Sequence, residues 1–363
     1  MEIVKLIPDK KSKYHFGEGS LEESSIIFHS NSLFSTIINN FIKLYGTDEF
    51  ENNRKYFNEI KISSLFPAIY QFENKNSEKR NIKNEILFLP KPMLKLNFKE
   101  HVQKEIEDKP KEIKKVKFIS LDALSIHNNN NEKLDKIIIG KEYLITEKEK
   151  KDFGYINTKN ISLFNELIEQ KISIDRIKGT TLESDGKGQL YITKYIVPLG
   201  KKDKENNIEN KVGFYFLIDL NNMSNDFKKK IKASIKLIKD EGIGGKRSTG
   251  AGIFSEIIVD KFDNKLNENN TNAFVSLSIT IPKNEDELNS FESYQLIKVG
   301  GYIYSSTKIE YIKKLKKIIY VLSEGSICNT KINGTLKDLK PVDVSHEIIL
   351  NGKPLLLPIS YEK

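Results

Sequence analysis

The pattern of apolar and polar positions divides the chain into short strands and a few helices. Residues Glu2–Ile7 form a compact apolar run that predicts a first strand. Ser30 or Ser32 can cap a helix from Leu33 to about Tyr45, with Leu33, Phe34, Ile37, Ile38 and Phe41 on and beside one face. A short strand is expected over 61–66 and a polar loop over 74–84. The strand over 86–92 is ended by Pro90 and Pro92. Residues 98–115 are charged and broken at Pro110, and the periodic run 116–126 predicts a second helix. A strand over 137–145, a solvated charge run over 147–152 and a short helix over 161–168 complete the first half.

The second half carries strands over 189–199 and 213–219, then a helix over 225–239. In that helix Phe227, Ile231, Ile235 and Ile238 recur about a turn apart with six lysines between them, which gives a basic outer face. A glycine run follows, and residues 253–259 read as a strand. Further strands are expected over 273–281 and through the turn-rich tail 327–359. A short helix is expected over 285–293, a bend at Gly300 and Gly301, and a lysine-laced helix or strand edge over 308–319. The pattern is that of an α+β chain in two halves, each with one or two helices against an antiparallel sheet, divided between residues 147 and 190.

The glycine run, residues 242–252, holds five of the twenty glycines in eleven positions. Its order is helix, loop, strand. A dinucleotide fingerprint needs strand, glycines, helix. A P-loop needs a glycine where Asp240 stands and a Ser or Thr where Arg247 follows Lys246. Both nucleotide readings fail. Two remain open: a helix cap with an ordinary turn, or a backbone path that approaches a polyanion, with Lys246, Arg247, Ser248 and Thr249 beside free N–H groups. On the strand over 213–219, Phe214 and Tyr215 offer rings for base stacking, although at least one of them must face the core.

Charge adds weak support for a polyanion: 59 basic against 50 acidic residues give a formal +9. One cysteine, Cys328, excludes an internal disulfide and a cysteine-based zinc cluster, and suits a reducing cytoplasm. The opening residues read as a strand rather than a signal peptide. No run of eighteen apolar residues occurs, so no membrane contact is expected. The five histidines show no metal-ligand spacing, so neither a metal nor a cofactor is expected. His15 alone invites a chemical test, as a general base for metal-independent RNA cleavage; contact with RNA or packing in the core are its other readings.

Taken in order, several motifs resemble the RAMP proteins of CRISPR effector complexes. They are His15-Phe16-Gly17, Asn31-Ser32-Leu33-Phe34-Ser35, Leu89-Pro90-Lys91-Pro92, and Asp175-Arg176 leading to Leu190-Tyr191. The loop from Gly242 through Phe254 follows, and then Gly300-Gly301-Tyr302 with Ser305-Ser306. The chain is most similar to the fourth subunit of the type III-A (Csm) complex. The resemblance implies two ferredoxin-like (RRM-like) domains with antiparallel sheets, residues 1–170 and 171–363, the second irregular, and a hairpin thumb for which the region 172–190 supplies either the thumb itself or its support. It implies a non-catalytic subunit of antiviral defence that holds the 5′ handle of CRISPR RNA. Its partners would be the large polymerase-like subunit, the backbone RAMP subunit and target RNA through the guide duplex. The RNA contacts carried over are His15, Phe16, Gly17, Ser32 and Arg176, with Gly242, Gly244, Gly245, Lys246, Arg247, Ser248, Thr249, Gly250 and Gly252 of the loop. The rival expectation is a processing endoribonuclease of the same fold that depends on His15.

Overall fold

A computed structural model of the chain describes all residues except 18–19, 74–80, 130–131, 154–161, 176, 185–186, 189, 204–207, 265, 267–270, 305–313 and 363. Arg176, Ser305, Ser306 and the first half of the expected lysine-laced element therefore lie outside the described residues, as does most of the polar loop expected over 74–84.

The Glu2–Ile7 strand is second from one edge of a ten-stranded sheet, with Val4 opposite Phe216 on one side and Val259 on the other. Its apolar residues Ile3, Val4, Leu6 and Ile7 are all buried, as expected of a strand covered on both faces. Six elements form a β-α-β-β-α-β series: strand Glu2–Ile7, helix Ser30–Tyr45, strand Phe66–Glu73, strand Ile208–Asp219, helix Asn225–Lys236 and strand Glu256–Lys261. In the sheet the four strands stand in the order fourth, first, third, second. Strands from either side of residue 170 thus share one sheet. The two helices pack on each other through Phe41, Phe57 and Phe227, whose rings meet nearly edge to face at 5.0 and 5.1 Å, and through the buried Asn40 amide, which donates to the Ser234 carbonyl.

Several elements differ from expectation for local reasons. The first helix starts at Ser30, so neither Ser30 nor Ser32 is its cap; His29 is, and the Ser30 N–H instead donates to the Ser64 hydroxyl. Within 116–126, Phe118–Ser120 is a strand pairing Phe88–Pro90, and only Leu121–His127 is helical, capped by Ser120. The expected strand over 137–145 is a hairpin that turns at Gly140 and Lys141, both at positive φ. Residues Glu147–Asp152 are helical, because Thr146 and Glu149 form a complete capping box. In place of a helix over 161–168 there is a strand, Phe164–Ile172, paired along its whole length with Leu190–Pro198. The helix expected over 285–293 is confined to Glu285–Asn289, and Phe291–Ser293 is a strand. Phe214 and Tyr215 are both buried, so neither ring is open to a base.

The C-terminal part carries a four-stranded sheet in the order Phe291–Ser293, Ile327–Cys328, Ala273–Ser276, Leu356–Ile359, flanked by two hairpins. It joins the large sheet through a seam of buried hydroxyls. Ser64 N–H donates to Leu277, Ser278 Oγ to the Ile62 carbonyl and Ile279 N–H to Ser30 Oγ. Beside them the Glu324 carboxylate, 3% exposed, meets His29 Nδ1 at 2.7 Å and accepts the Ser64 hydroxyl. Burial opposes ionisation of Glu324, but the charge and hydrogen bond of His29 overcome it and hold its pKa below the usual value.

Candidate nucleic-acid interface

The basic helix is capped by Ser224, breaks at Leu237, and its last turn ends at Gly242, where φ is 71°. From there the glycine run folds into a closed loop held by its own backbone. Ile243 N–H donates to the Gly252 carbonyl at 3.0 Å, Gly252 N–H to Lys13 at 2.8 Å and Gly245 N–H to His15 at 2.9 Å. Packing explains the glycine at position 252: φ is 84°, and a Cβ there would lie 2.0 Å from the Ile243 oxygen. Between these ties Lys246 takes a left-handed conformation, and Arg247–Thr249 make a 3-10 turn closed by the Thr249 hydroxyl on the Lys246 carbonyl. Ser248, Thr249 and Gly250 form the exposed rim.

The two cations of the loop lie over aromatic rings. The Arg247 guanidinium is 4.4 Å from the Tyr304 ring centroid, and the Lys246 ammonium is 5.2 Å from that of Tyr191. Neither makes an ion pair among the described residues. The positive charge is therefore presented rather than neutralised.

His15 lies beneath the loop and is 4% exposed. Its Nδ1 is 2.8 Å from the Lys194 carbonyl, and a Cβ on Gly245 would touch its ring at 2.6 Å. Phe16 is core: its ring packs at 4.9–5.7 Å on Tyr14, Phe28 and Phe214. A cleft of about 190 Å³ brings His15, Phe16, Gly17, Ser32, Gly244, Gly245 and Arg247 together. Gly242 and Gly252 form the base of the loop, and Lys246, Ser248, Thr249 and Gly250 stand outside the cleft. Arg176 falls outside the described residues. The cleft also holds residues that sequence reasoning missed, among them His29, Asn39, Tyr302, Tyr304 and Lys316. They come from the first helix and from the C-terminal part, so only the fold makes them neighbours; Gly300-Gly301-Tyr302 was the one local signal.

The ribbon of Phe164–Ile172 and Leu190–Pro198 rises beside the loop. One face carries Lys171 opposite Tyr191, Glu169 opposite Thr193 and Tyr195 opposite Leu167. Lys13 pairs with Glu169 and lies 4.5 Å from the Tyr195 centroid, while Lys171 bonds Glu169 and the Tyr195 hydroxyl, each at 3.0 Å. The hydrogen bond from Lys13 holds the Glu169 carboxyl below the usual range. The opposite face leaves Ile168, Ile172, Leu190 and Ile192 exposed, Ile168 to 63%. Among the described residues no group of His, Cys, Asp and Glu is arranged to hold a metal ion, and no helix is long and apolar enough to cross a membrane.

Comparison with known proteins covers nearly the whole chain. Residues 11–255 match the model of the RAMP superfamily, and residues 269–359 match that of the CRISPR Csm4 C-terminal domain. The CRISPR system Cms protein Csm4 of Methanocaldococcus jannaschii is 41% identical, over 99% of this chain and 98% of its own length. The protein of the same description from Streptococcus thermophilus is 23% identical over 95% of each. Among solved structures, a chain of the Csm3-Csm4 subcomplex of the type III-A CRISPR-Cas interference complex is 33% identical with a TM-score of 0.67, over 100% of both chains. A chain of the Csm1-Csm4 cassette in complex with cA4 shares the fold at 16% identity, with a TM-score of 0.51 over 99% and 97%. By its sequence and its fold, this chain belongs to the RAMP superfamily and, within it, to the Csm4 family.

Proposed function

We propose that the chain is a non-catalytic RNA-binding subunit of a type III CRISPR-Cas complex, holding the 5′ handle of CRISPR RNA at the glycine loop. In that role it bridges the large polymerase-like subunit and the backbone subunit. The observation that carries this reading is the loop itself: a turn that presents Lys246 and Arg247, without an ion pair among the described residues and backed by tyrosine rings, above a cleft rimmed by His29, Tyr302 and Lys316. Single-stranded RNA is bound by this combination of cations for phosphates and aromatic faces for bases. Membership of the Csm4 family supports the assembly, since relatives were solved with Csm3 and with Csm1.

His15 acts as a prop in this reading. Its burial under Gly245 and its bond to the Lys194 carbonyl suit a group that sets the height of the loop rather than a base that meets substrate. Phe16 likewise supports from within the core. The fold is read as two ferredoxin-like units. The order fourth, first, third, second, which supports the first unit over residues 2–261, recurs in the four-stranded C-terminal sheet. On this reading the units divide between residues 261 and 273, with the ribbon as an insertion in the first.

Replacing both Lys246 and Arg247 by alanine tests the assignment. Binding of handle RNA should weaken across sequences, and the slope of log affinity against log salt should flatten by about 1.4, for two phosphate contacts at roughly 0.7 each. Affinity and slope equal to the parent protein at every salt concentration reject the loop as the RNA clamp.

A further inference from the structure

His29 stands in the wall between two clefts. One is the small cleft at the glycine loop. The other, about 1230 Å³, runs between residues Ser24 to Ile27, the Pro90-Lys91-Pro92 turn, the 114–118 segment, the 140–142 turn and the root of the ribbon. The two share Ile27 and His29, so they lie on either side of these two side chains.

The charges of the large cleft are one-sided. It is lined by Lys91, Lys114, Lys115, Lys117 and Lys141 and by three carboxylates. Each carboxylate is already engaged: Glu142 with Lys117 at 2.6 Å, Glu166 with Lys194 at 2.7 Å and Glu324 with His29 at 2.7 Å. Lys114, Lys115 and Lys141 are exposed and make no ion pair among the described residues. Lys91 is half-buried with its ammonium on the Ile113 carbonyl, and burial pulls its pKa below the ordinary lysine value. A cleft with four cations left over attracts a polyanion, and an incoming phosphate would supply Lys91 with the countercharge that its surroundings lack.

We propose that this lysine-lined cleft is a second RNA channel, in which a single strand leaving the glycine-loop cleft passes His29 and lays its backbone along Lys91, Lys114, Lys115 and Lys141. The proposal rests on the glycine-loop reading for the direction from which the strand arrives. Adjacency to that cleft favours RNA over an acidic protein surface. The volume accommodates a run of nucleotides rather than a single phosphate. Polar side chains beside the lysines, Ser24, Ser25, Asn165 and Gln295, suit sugar and base edges.

The test uses the full chain and oligouridylates of about four and about twelve nucleotides, within the site sizes known for single strands. Binding is read by anisotropy over a series of salt concentrations. The variant Lys114→Ala/Lys115→Ala/Lys141→Ala changes exposed side chains only. It should weaken the longer RNA on the order of tenfold, flatten its salt slope by about 2, and remove most of the affinity gained on going from the shorter to the longer RNA. Added to the Lys246→Ala/Arg247→Ala pair, its effect should be additive, because both sets hold one strand. Unchanged affinity and slope for the longer RNA overturn the channel. So does intact RNA binding with lost association to a partner subunit, the result expected of an acidic protein surface. If the loop pair binds as the parent protein does while the triple variant weakens, the glycine-loop reading falls and the continuous path with it.

Discussion

The glycine loop and the ribbon lie side by side and are fixed by different means. The loop is held by backbone: its bonds run from peptide groups at Ile243, Gly245 and Gly252 to carbonyls at Gly252, His15 and Lys13, and its conformation depends on positions without a Cβ. The ribbon is held by its own ladder and by side-chain charge, through Lys13, Lys171 and Glu169, and it leaves a row of isoleucines and a leucine in solvent. The first arrangement makes a rigid presenter of cations. The second makes an arm whose outer face contributes little to the fold and is open to a ligand or partner. Sensitivity to substitution should therefore fall steeply from one to the other.

The largest effect is expected at Gly252. Alanine there adds the cost of positive φ to a clash with the Ile243 oxygen, and should destabilise the chain by about 3 kcal/mol or force the loop open. Gly250 is the control within the same loop. Its φ of 80° is close to the 84° of Gly252 but it faces open space, so alanine should cost only about 1 kcal/mol. Thermal or urea unfolding of the pair separates a backbone clash from conformational strain, and equal effects would break the contrast.

On the ribbon, Glu169→Gln removes the partner of Lys13 and Lys171. The carboxyl is depressed in the folded chain, so its contribution is present above the ordinary glutamate value, near about 4, and is lost as pH falls through the lower folded value. Being partly solvated, it should be worth less than about 1 kcal/mol at neutral pH, and the variant should lose the acid-side slope of stability that the parent protein shows. Smallest of all, Ile168→Thr and Ile192→Thr should change stability by no more than about 0.5 kcal/mol, since both residues lie on the exposed face of the ribbon. A loss of 2 kcal/mol or more, well above about 0.5, would show that the arm is part of the core.

The same contrast explains what the sequence disclosed. The loop was legible because its determinant is local: five glycines after an amphipathic helix end it and permit the positive φ values of a tight loop, and the same stretch carries the charge on Lys246 and Arg247. The strand Glu2–Ile7 and the first helix were legible for a similar reason, although the cap fell at His29 and not at Ser30 or Ser32. The ribbon was not legible. Phe164–Ile172 has helix-like spacing over its first residues, and it becomes a strand only because Leu190–Pro198 pairs with it. Residues Glu147–Asp152 carry a local helix signal, the Thr146-x-x-Glu149 box, within a charge run that has no apolar periodicity. At the site, Tyr304, Lys316 and His29 were invisible because strand pairing far away in the chain brings them to Arg247 and Gly245.

The central claim is that RNA lies on the glycine loop. The most direct measurement is to photocrosslink a handle RNA carrying reactive uridines to the full chain and to map the modified peptides by mass spectrometry. The account predicts adducts within residues 242–252 and at Tyr302 or Tyr304 across the cleft. Adducts confined to other faces, with none in 242–252, would contradict it.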